Sequence, residues 1–165
     1  MFTQPPVPGL GQFPAITSLS TLNGANGFRL DGVSPGEYAG SAVSAGDVNN
    51  DGINDMVIAA SGANSGTGKT YVMFGKTSAW SSPISLSTLN GANGFVLNGV
   101  SADDRTGHFV NTAGDVNNDG INDIIIGAYN ANSAAGKTYV VFGKTSAWSS
   151  PISLSTLNGA NGFVL

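Results

Sequence analysis

The residues best placed to do chemistry are six aspartates in two identical nine-residue stretches. DVNNDGIND occupies residues 47–55 and returns unchanged at 115–123. Oxygen-bearing side chains fall at positions 1, 3, 5 and 9: Asp47, Asn49, Asp51 and Asp55 in the first copy, Asp115, Asn117, Asp119 and Asp123 in the second. Gly52 and Gly120 at position 6 permit the reversal that wraps a loop round one ion, and the carbonyls of Ile53 and Ile121 stand at position 7. Hard oxygen donors in that number favour calcium over zinc or copper. Six of the ten acidic residues lie in these loops, and such crowding of like charge is costly unless a cation neutralises it. The expectation is one calcium ion per loop, two in the chain, in a structural role between one strand and the next. The same letters also suit a metal-free turn rich in Asp and Asn. An EF-hand does not fit, because position 12 is Ile58 or Ile126, inside an apolar run, instead of Glu.

The remaining reactive side chains read as non-catalytic. His108 is the only histidine, and Ser41 occupies its place in the earlier unit, so a strand-edge polar residue is the simpler reading. Residues 32–36 spell G-V-S-P-G, the letters of a nucleophile elbow, but no strand-turn-helix context surrounds them and the sister stretch reads G-V-S-A-D. Gly68-Lys69-Thr70 and Gly136-Lys137-Thr138 echo the end of a phosphate loop. Ala63 and Ala131 replace its first glycine, however, and a strand follows instead of a helix. Trp80 and Trp148, with Phe28, Phe95 and Phe163, recur at the spacing of the repeat, which predicts packing between blades in preference to a carbohydrate or aromatic-ligand platform. Asp103, Asp104 and Arg105 read as a solvated connecting loop, the kind of place where binding function resides.

The elements that must hold these loops are short strands. Of 165 residues 24 are glycine, the charged fraction is 10% and the hydrophobic fraction 41%, a composition of many turns around a real core. A net charge of −4 gives no electrostatic footing for nucleic acid or anionic lipid. With no cysteine there are no disulfides or thiolate sites. No apolar run approaches the ~18 residues of a spanning helix, so membrane insertion is not expected. Residues 1–14 lack the basic start and apolar run of a secretory signal.

Repetition organises the chain. Residues 74–97 return letter for letter at 142–165, 68 residues later, and residues 18–28 match 85–95 at an offset of 67. The extra residue lies where SAVSAG in the first unit becomes HFVNTAG in the second. Strand-like runs are read at 27–30, 41–45, 56–60 and 70–74, then at 94–97, 108–112, 124–128 and 138–142. The runs at 56–60 and 124–128 are apolar without alternation and should lie mid-sheet, covered on both faces. The domain reading is a proline-rich arm over 1–15, one unit over 16–83, a second over 84–151 and the start of a third over 152–165. The fold class expected is all-β: four-stranded antiparallel blades of a β-propeller, two complete and part of a third. Two blades cannot close a ring, so further blades or further copies of the chain are needed.

At these residues the chain resembles the FG-GAP repeats of integrin α-subunit propellers and of bacterial surface proteins. The acidic loops and the G-K-T-Y-V strands at 68–72 and 136–140 match that pattern. The GAP position reads Ala59-Ala60-Ser61 and Gly127-Ala128-Tyr129, and the FG position Ala39-Gly40 and Thr106-Gly107. The resemblance implies a propeller of about seven blades with calcium in its loops. It also implies extracellular or cell-surface use in adhesion or ligand binding, with a protein or glycan as ligand. The reading is therefore a non-enzymatic calcium-binding module that assembles through its blade edges with other copies or further blades. The alternatives are the non-catalytic portion of a larger secreted enzyme and an engineered repeat scaffold.

Overall fold

The computed structural model describes residues 18–165; the arm read over 1–15 lies outside the described residues. Eleven strands follow along them: β1 (Leu30–Asp31), β2 (Val43–Gly46), β3 (Asp55–Ala60), β4 (Lys69–Met73), β5 (Ile84–Ser85), β6 (Gly94–Asn98), β7 (Phe109–Gly114), β8 (Asp123–Ala128), β9 (Lys137–Val141), β10 (Ile152–Ser153) and β11 (Gly162–Val164). β2, β3, β4 and β6 form one antiparallel four-stranded blade, and β7, β8, β9 and β11 form the second. The apolar strands β3 and β8 lie between two neighbours, as their unalternating sequences require. Along β3 every residue but Met56 is buried.

Blade and sequence unit are out of phase. The run at 94–97, which opens the second unit, supplies the fourth strand of the first blade, with Phe95 opposite Val72 and Leu97 opposite Thr70. A short parallel strand then latches onto the outer edge of that blade, Ile152 beside Leu97 and Ser153 beside Asn98. The run at 27–30 narrows to β1, which pairs in the same parallel way with β5.

The two blades meet along a polar inner seam and an apolar body. On the inner seam Ser44 Oγ donates to Asn111 Oδ1 at 2.7 Å, and Thr112 Oγ1 donates to the Ala45 carbonyl at 3.1 Å. A Cβ at Gly46 would stand 2.7 Å from Thr112 Cγ2, so a larger residue there would push the blades apart. Behind the seam, Val57, Ala59, Val72, Phe95 and Leu97 of the first blade share one core with Ile124, Ile126, Tyr139, Val141 and Trp148 of the second. The Trp148 ring stacks on Phe95 with centroids 3.9 Å apart and planes 4° from parallel. A second cluster, including Ile58, Tyr71, Met73 and Leu86, lies on the opposite face of the first blade, where Trp80 stacks on Phe28 at 4.4 Å. The Phe95–Trp148 stack thus packs one blade on the next, whereas Phe28 and Trp80 meet on the opposite face of the first blade and Phe163 is 36% exposed.

The residue that lengthens the second unit is absorbed at one point. Thr112 faces Ile124 and Gly114 faces Asp123, so Ala113 bulges out and the ladder resumes in register. The glycines at the FG position both have positive φ, 89° at Gly40 and 85° at Gly107. Their amides donate to the carbonyls of Ala59 and Gly127 at the GAP position, so the two degenerate dipeptides meet across the inner hairpin. Unforeseen in the sequence are single helical turns at Ala63–Gly66 and Ala131–Ala134. Each contains consecutive left-handed residues, Asn64-Ser65 and Asn132-Ser133, and so is a tight connection, not a regular helix.

One buried polar pair differs between the blades. Glu37 accepts the Tyr71 hydroxyl at 3.1 Å and also the Val33 amide. Burial, then the adjacent Glu37 charge, push the Tyr71 phenol well above its ordinary range. In the second blade the counterparts are Asp104 and Tyr139. The acid is one methylene shorter, and neither Asp104 Oδ2 nor the Tyr139 hydroxyl has a hydrogen-bond partner among the described residues. Asp104→Glu should therefore raise stability by roughly 1.5–3 kcal/mol, the value of a hydrogen bond to a charged group, read as a higher urea midpoint with unchanged slope. Trp148→Ala should cost about 3–5 kcal/mol as a large buried truncation, and more than Trp80→Ala, whose ring is only half-buried.

Candidate metal centre

Each acidic loop joins the inner strand of a blade to its second strand, β2 to β3 and β7 to β8. Asn50 and Asn118 take left-handed backbone at φ 59° and 62°, and Gly52 and Gly120 follow at 85° and 87°. Asparagine and glycine tolerate that region best. The chain therefore curls twice in three residues and turns its amides inward. The Asp51 amide donates to Asp47 Oδ1 and Asn49 Oδ1 at 3.1 and 2.9 Å, and the Gly52 amide donates to Asp47 Oδ2 at 2.8 Å. The Ile53 amide donates to Asp51 Oδ1 at 2.8 Å, while Asn49 Nδ2 reaches Asp51 Oδ2 at 3.0 Å. Asp115, Asn117, Asp119, Gly120 and Ile121 repeat every one of these bonds. Sequence positions 1, 3 and 5 are thus brought together in both copies.

Position 9 is handled differently. Asp55 and Asp123 are fully buried. Asp55 Oδ2 accepts the Val48 amide and Oδ1 the Gly75 amide, both at 2.9 Å; Asp123 accepts from Val116 and Gly143 at 2.8 and 2.9 Å. Burial pushes the Asp55 carboxyl up to about 6, against the lowering effect of the Gly75 and Val48 amides, and the charges of Asp51 and Asp47 add to the rise. Gly75 and Gly143 were not singled out in the sequence. A Cβ at Gly143 would lie 2.4 Å from the Asn122 carbonyl and 2.5 Å from Ile121 Cγ2, so only glycine brings its amide to the aspartate. The signal was present, since a Phe-Gly dipeptide follows each position-9 aspartate at the same distance, Phe74-Gly75 and Phe142-Gly143.

Among the described residues, no group of three acidic or histidine side chains stands close enough to hold a metal on its own. The donor set of each loop is mixed: carboxylates, one amide oxygen and one backbone carbonyl. A carboxylate offers about four lone-pair sites. Asp47, Asp51 and Asp55 each spend two on the hydrogen bonds described above and keep the rest, and Asn49 Oδ1 keeps one. The unspent sites are hard oxygens, the donor type that calcium prefers in sets of six to eight.

The two loops sit in different surroundings. Val48 is fully buried in the core shared by the blades; its carbonyl accepts the Lys144 amide at 3.0 Å and the Asp47 carbonyl accepts the Asn122 amide at 3.3 Å, both from the second blade. Val116, its counterpart, is 50% exposed. The other residues weighed in the sequence lie elsewhere. His108 is exposed and packs edge-on to Phe109 and against Tyr129, each at 4.6 Å. Each indole is already engaged by a phenyl ring and by a lysine ammonium, Lys76 over Trp80 at 4.6 Å and Lys144 over Trp148 at 4.7 Å.

Asp55→Asn should lower stability by about 1–3 kcal/mol, because the new NH2 group would face one of the two amides and leave a buried donor unpaired. That loss should be seen in urea unfolding with or without calcium. The FG-GAP repeat family model matches residues 39–73 and 110–141. No curated protein matches the chain. The first matched segment runs from the FG position through the acidic loop into the third strand, the second from β7 through the acidic loop into the third strand, so each blade contains one segment that matches the FG-GAP repeat.

Proposed function

We propose that the chain is a calcium-stabilised propeller segment serving outside the cell or on its surface as a binding or structural module. In this reading it is not an enzyme, and it assembles through its blade edges. The observation that carries it is the pair of loops with the same hydrogen bonds and the same unspent oxygen sites. Calcium would be held by Asp47, Asn49, Asp51, the Ile53 carbonyl and Asp55 in one loop, and by Asp115, Asn117, Asp119, the Ile121 carbonyl and Asp123 in the other. Its charge would favour the ionised form of the buried position-9 carboxylate, locking the start of β3 or β8 to the loop before it. A non-catalytic role fits a chain whose repeats are typically non-catalytic and whose one histidine rests against aromatic rings. Surface or extracellular use fits the setting in which such repeats usually occur. No helix among the described residues is long and apolar enough to cross a membrane.

Calcium that binds only the folded chain should raise its stability by about 2.7 kcal/mol per site at a hundredfold excess over Kd. The test is thermal unfolding in calcium and in chelator, with titration calorimetry for stoichiometry. Two sites per chain and a chelator-sensitive Tm are expected. Asp47→Asn with Asp115→Asn should abolish the calcium response while changing stability in chelator much less than Asp55→Asn does. A chain whose melting ignores chelator, and which takes up no calcium, would refute the reading.

A further inference from the structure

Residues 18–28, 85–95 and 153–163 are identical, yet they occupy different surroundings. The second and third copies lead into β6 and β11, which pair antiparallel with β4 and β9. The first leads into β1, whose strand partner among the described residues is the parallel β5 alone. It is nonetheless already shaped like the others. The Gly24 amide donates to the Gly27 carbonyl at 2.8 Å, as Gly91 does to Gly94 at 2.7 Å and Gly159 to Gly162 at 2.8 Å. Gly27 has φ 134° against 139° at both Gly94 and Gly162. Trp80 stacks on Phe28 as Trp148 does on Phe95. Residues 27–31 thus have the shape of a fourth strand with no antiparallel third strand beside them among the described residues.

The far side of the second blade shows the complementary lack. Leu165 is 74% exposed and Phe163 36%, where the equivalent Leu97 and Phe95 are fully buried. Val116 is exposed where Val48 is covered. What covers these positions in the first blade is the blade that follows, so a blade of this kind has the shape that fits the exposed face.

We propose that copies of this chain join head to tail by strand exchange: residues 27–31 of one copy replace residues 162–165 of another as the fourth strand on β9. The incoming first blade is thereby seated on the outward face of the second. This rests on the edge assembly proposed above and identifies the strand that makes the seam. The two competing segments share the turn and the phenylalanine, so exchange remakes the backbone bonds it breaks. What it adds is cover for Val116 and for the face of the ladder. By the register of Phe163 with Val140 and of Asn98 with Lys69, Phe28 would face Val140 and Asp31 would face Lys137. Asp31, which accepts from Arg29 at 2.7 and 3.1 Å, stands where the seam within the chain has the neutral Asn98, so the exchanged strand brings this carboxylate opposite an ammonium, a favourable cross-strand pair. The Val116 carbonyl would receive the Lys76 amide of the incoming copy, as Val48 receives that of Lys144. A head-to-tail contact of this kind closes into a ring or extends as a filament.

The chain has no cysteine, which makes cross-linking clean. Thr138 and Leu165 exchange both backbone bonds, at 2.9 and 2.8 Å, so the neighbouring Lys137 position belongs to a non-hydrogen-bonded pair. Cα atoms there lie about 4.5 Å apart, within disulfide reach. With calcium and mild oxidation, Asp31→Cys and Lys137→Cys chains should each remain monomeric on a non-reducing gel, and their mixture should give a dimer that reductant dissolves. Independently of cysteine, Asp31→Lys should weaken assembly several-fold by light scattering, and Asp31→Lys with Lys137→Asp should restore it. Assembly in light scattering without the mixed disulfide and without charge-swap rescue would overturn strand exchange while leaving edge assembly standing. A folded monomer at every concentration would overturn both.

Discussion

Two buried carboxylates organise everything else in this molecule. Asp55 and Asp123 have no exposed surface and, among the described residues, no basic partner; each is held by two backbone amides, one from the start of its own acidic loop and one from the glycine that leaves the third strand. Removing such a group from water is tolerable only when its lone pairs are met in this way. The requirement fixes three segments distant in sequence around a single point. It sets where the loop begins, where β3 or β8 starts, and where the chain must turn after β4 or β9. The glycines at 75 and 143 follow from it, because their amides can come close enough only without a side chain.

From that anchor the rest of the architecture reads outward. The loop is free to expose Asp47 and Asp51, or Asp115 and Asp119, because its third carboxylate is tucked beneath it. The backbone of the first loop in turn receives amides from the second blade, so the loop is part of the contact between blades and not an appendage. Near the inner strands that contact is made of hydroxyl and amide bonds, and farther out of aliphatic and aromatic packing. Polar bonds of this type contribute geometry, while the buried rings contribute most of the area removed from water.

Much of this was legible in the sequence, and the residues that were not share a cause. The runs at 56–60 and 124–128 announced central strands through apolar character without alternation, and both lie mid-sheet. The recurrence of tryptophans and phenylalanines at the repeat spacing announced packing between blades, and the Phe95–Trp148 stack makes that contact. The grouping of strands into blades was less legible. Repetition fixes a period but not a phase, so nothing in the letters told that residues 94–98 would close the blade before them. The acidic loops were legible as loops, with positions 1, 3 and 5 drawn together. The burial of position 9 was not, since an aspartate at the head of an apolar strand looks the same whether it faces an ion or two amides. The contrast of Glu37 with Asp104 was equally silent, because one methylene matters only once Tyr71 and Tyr139 are in place.

The bulge at Ala113 has a bearing on how such a chain can change over generations. An added residue in most strands would turn every following side chain to the opposite face. Here the surplus is discharged within two positions, and the pairing of Asp123 with its amides is untouched. Inner strands that can swallow a residue let neighbouring units drift in length while their buried anchors stay in phase. A tandem array built this way can accumulate small insertions as harmless variation, long before any of them is put to use.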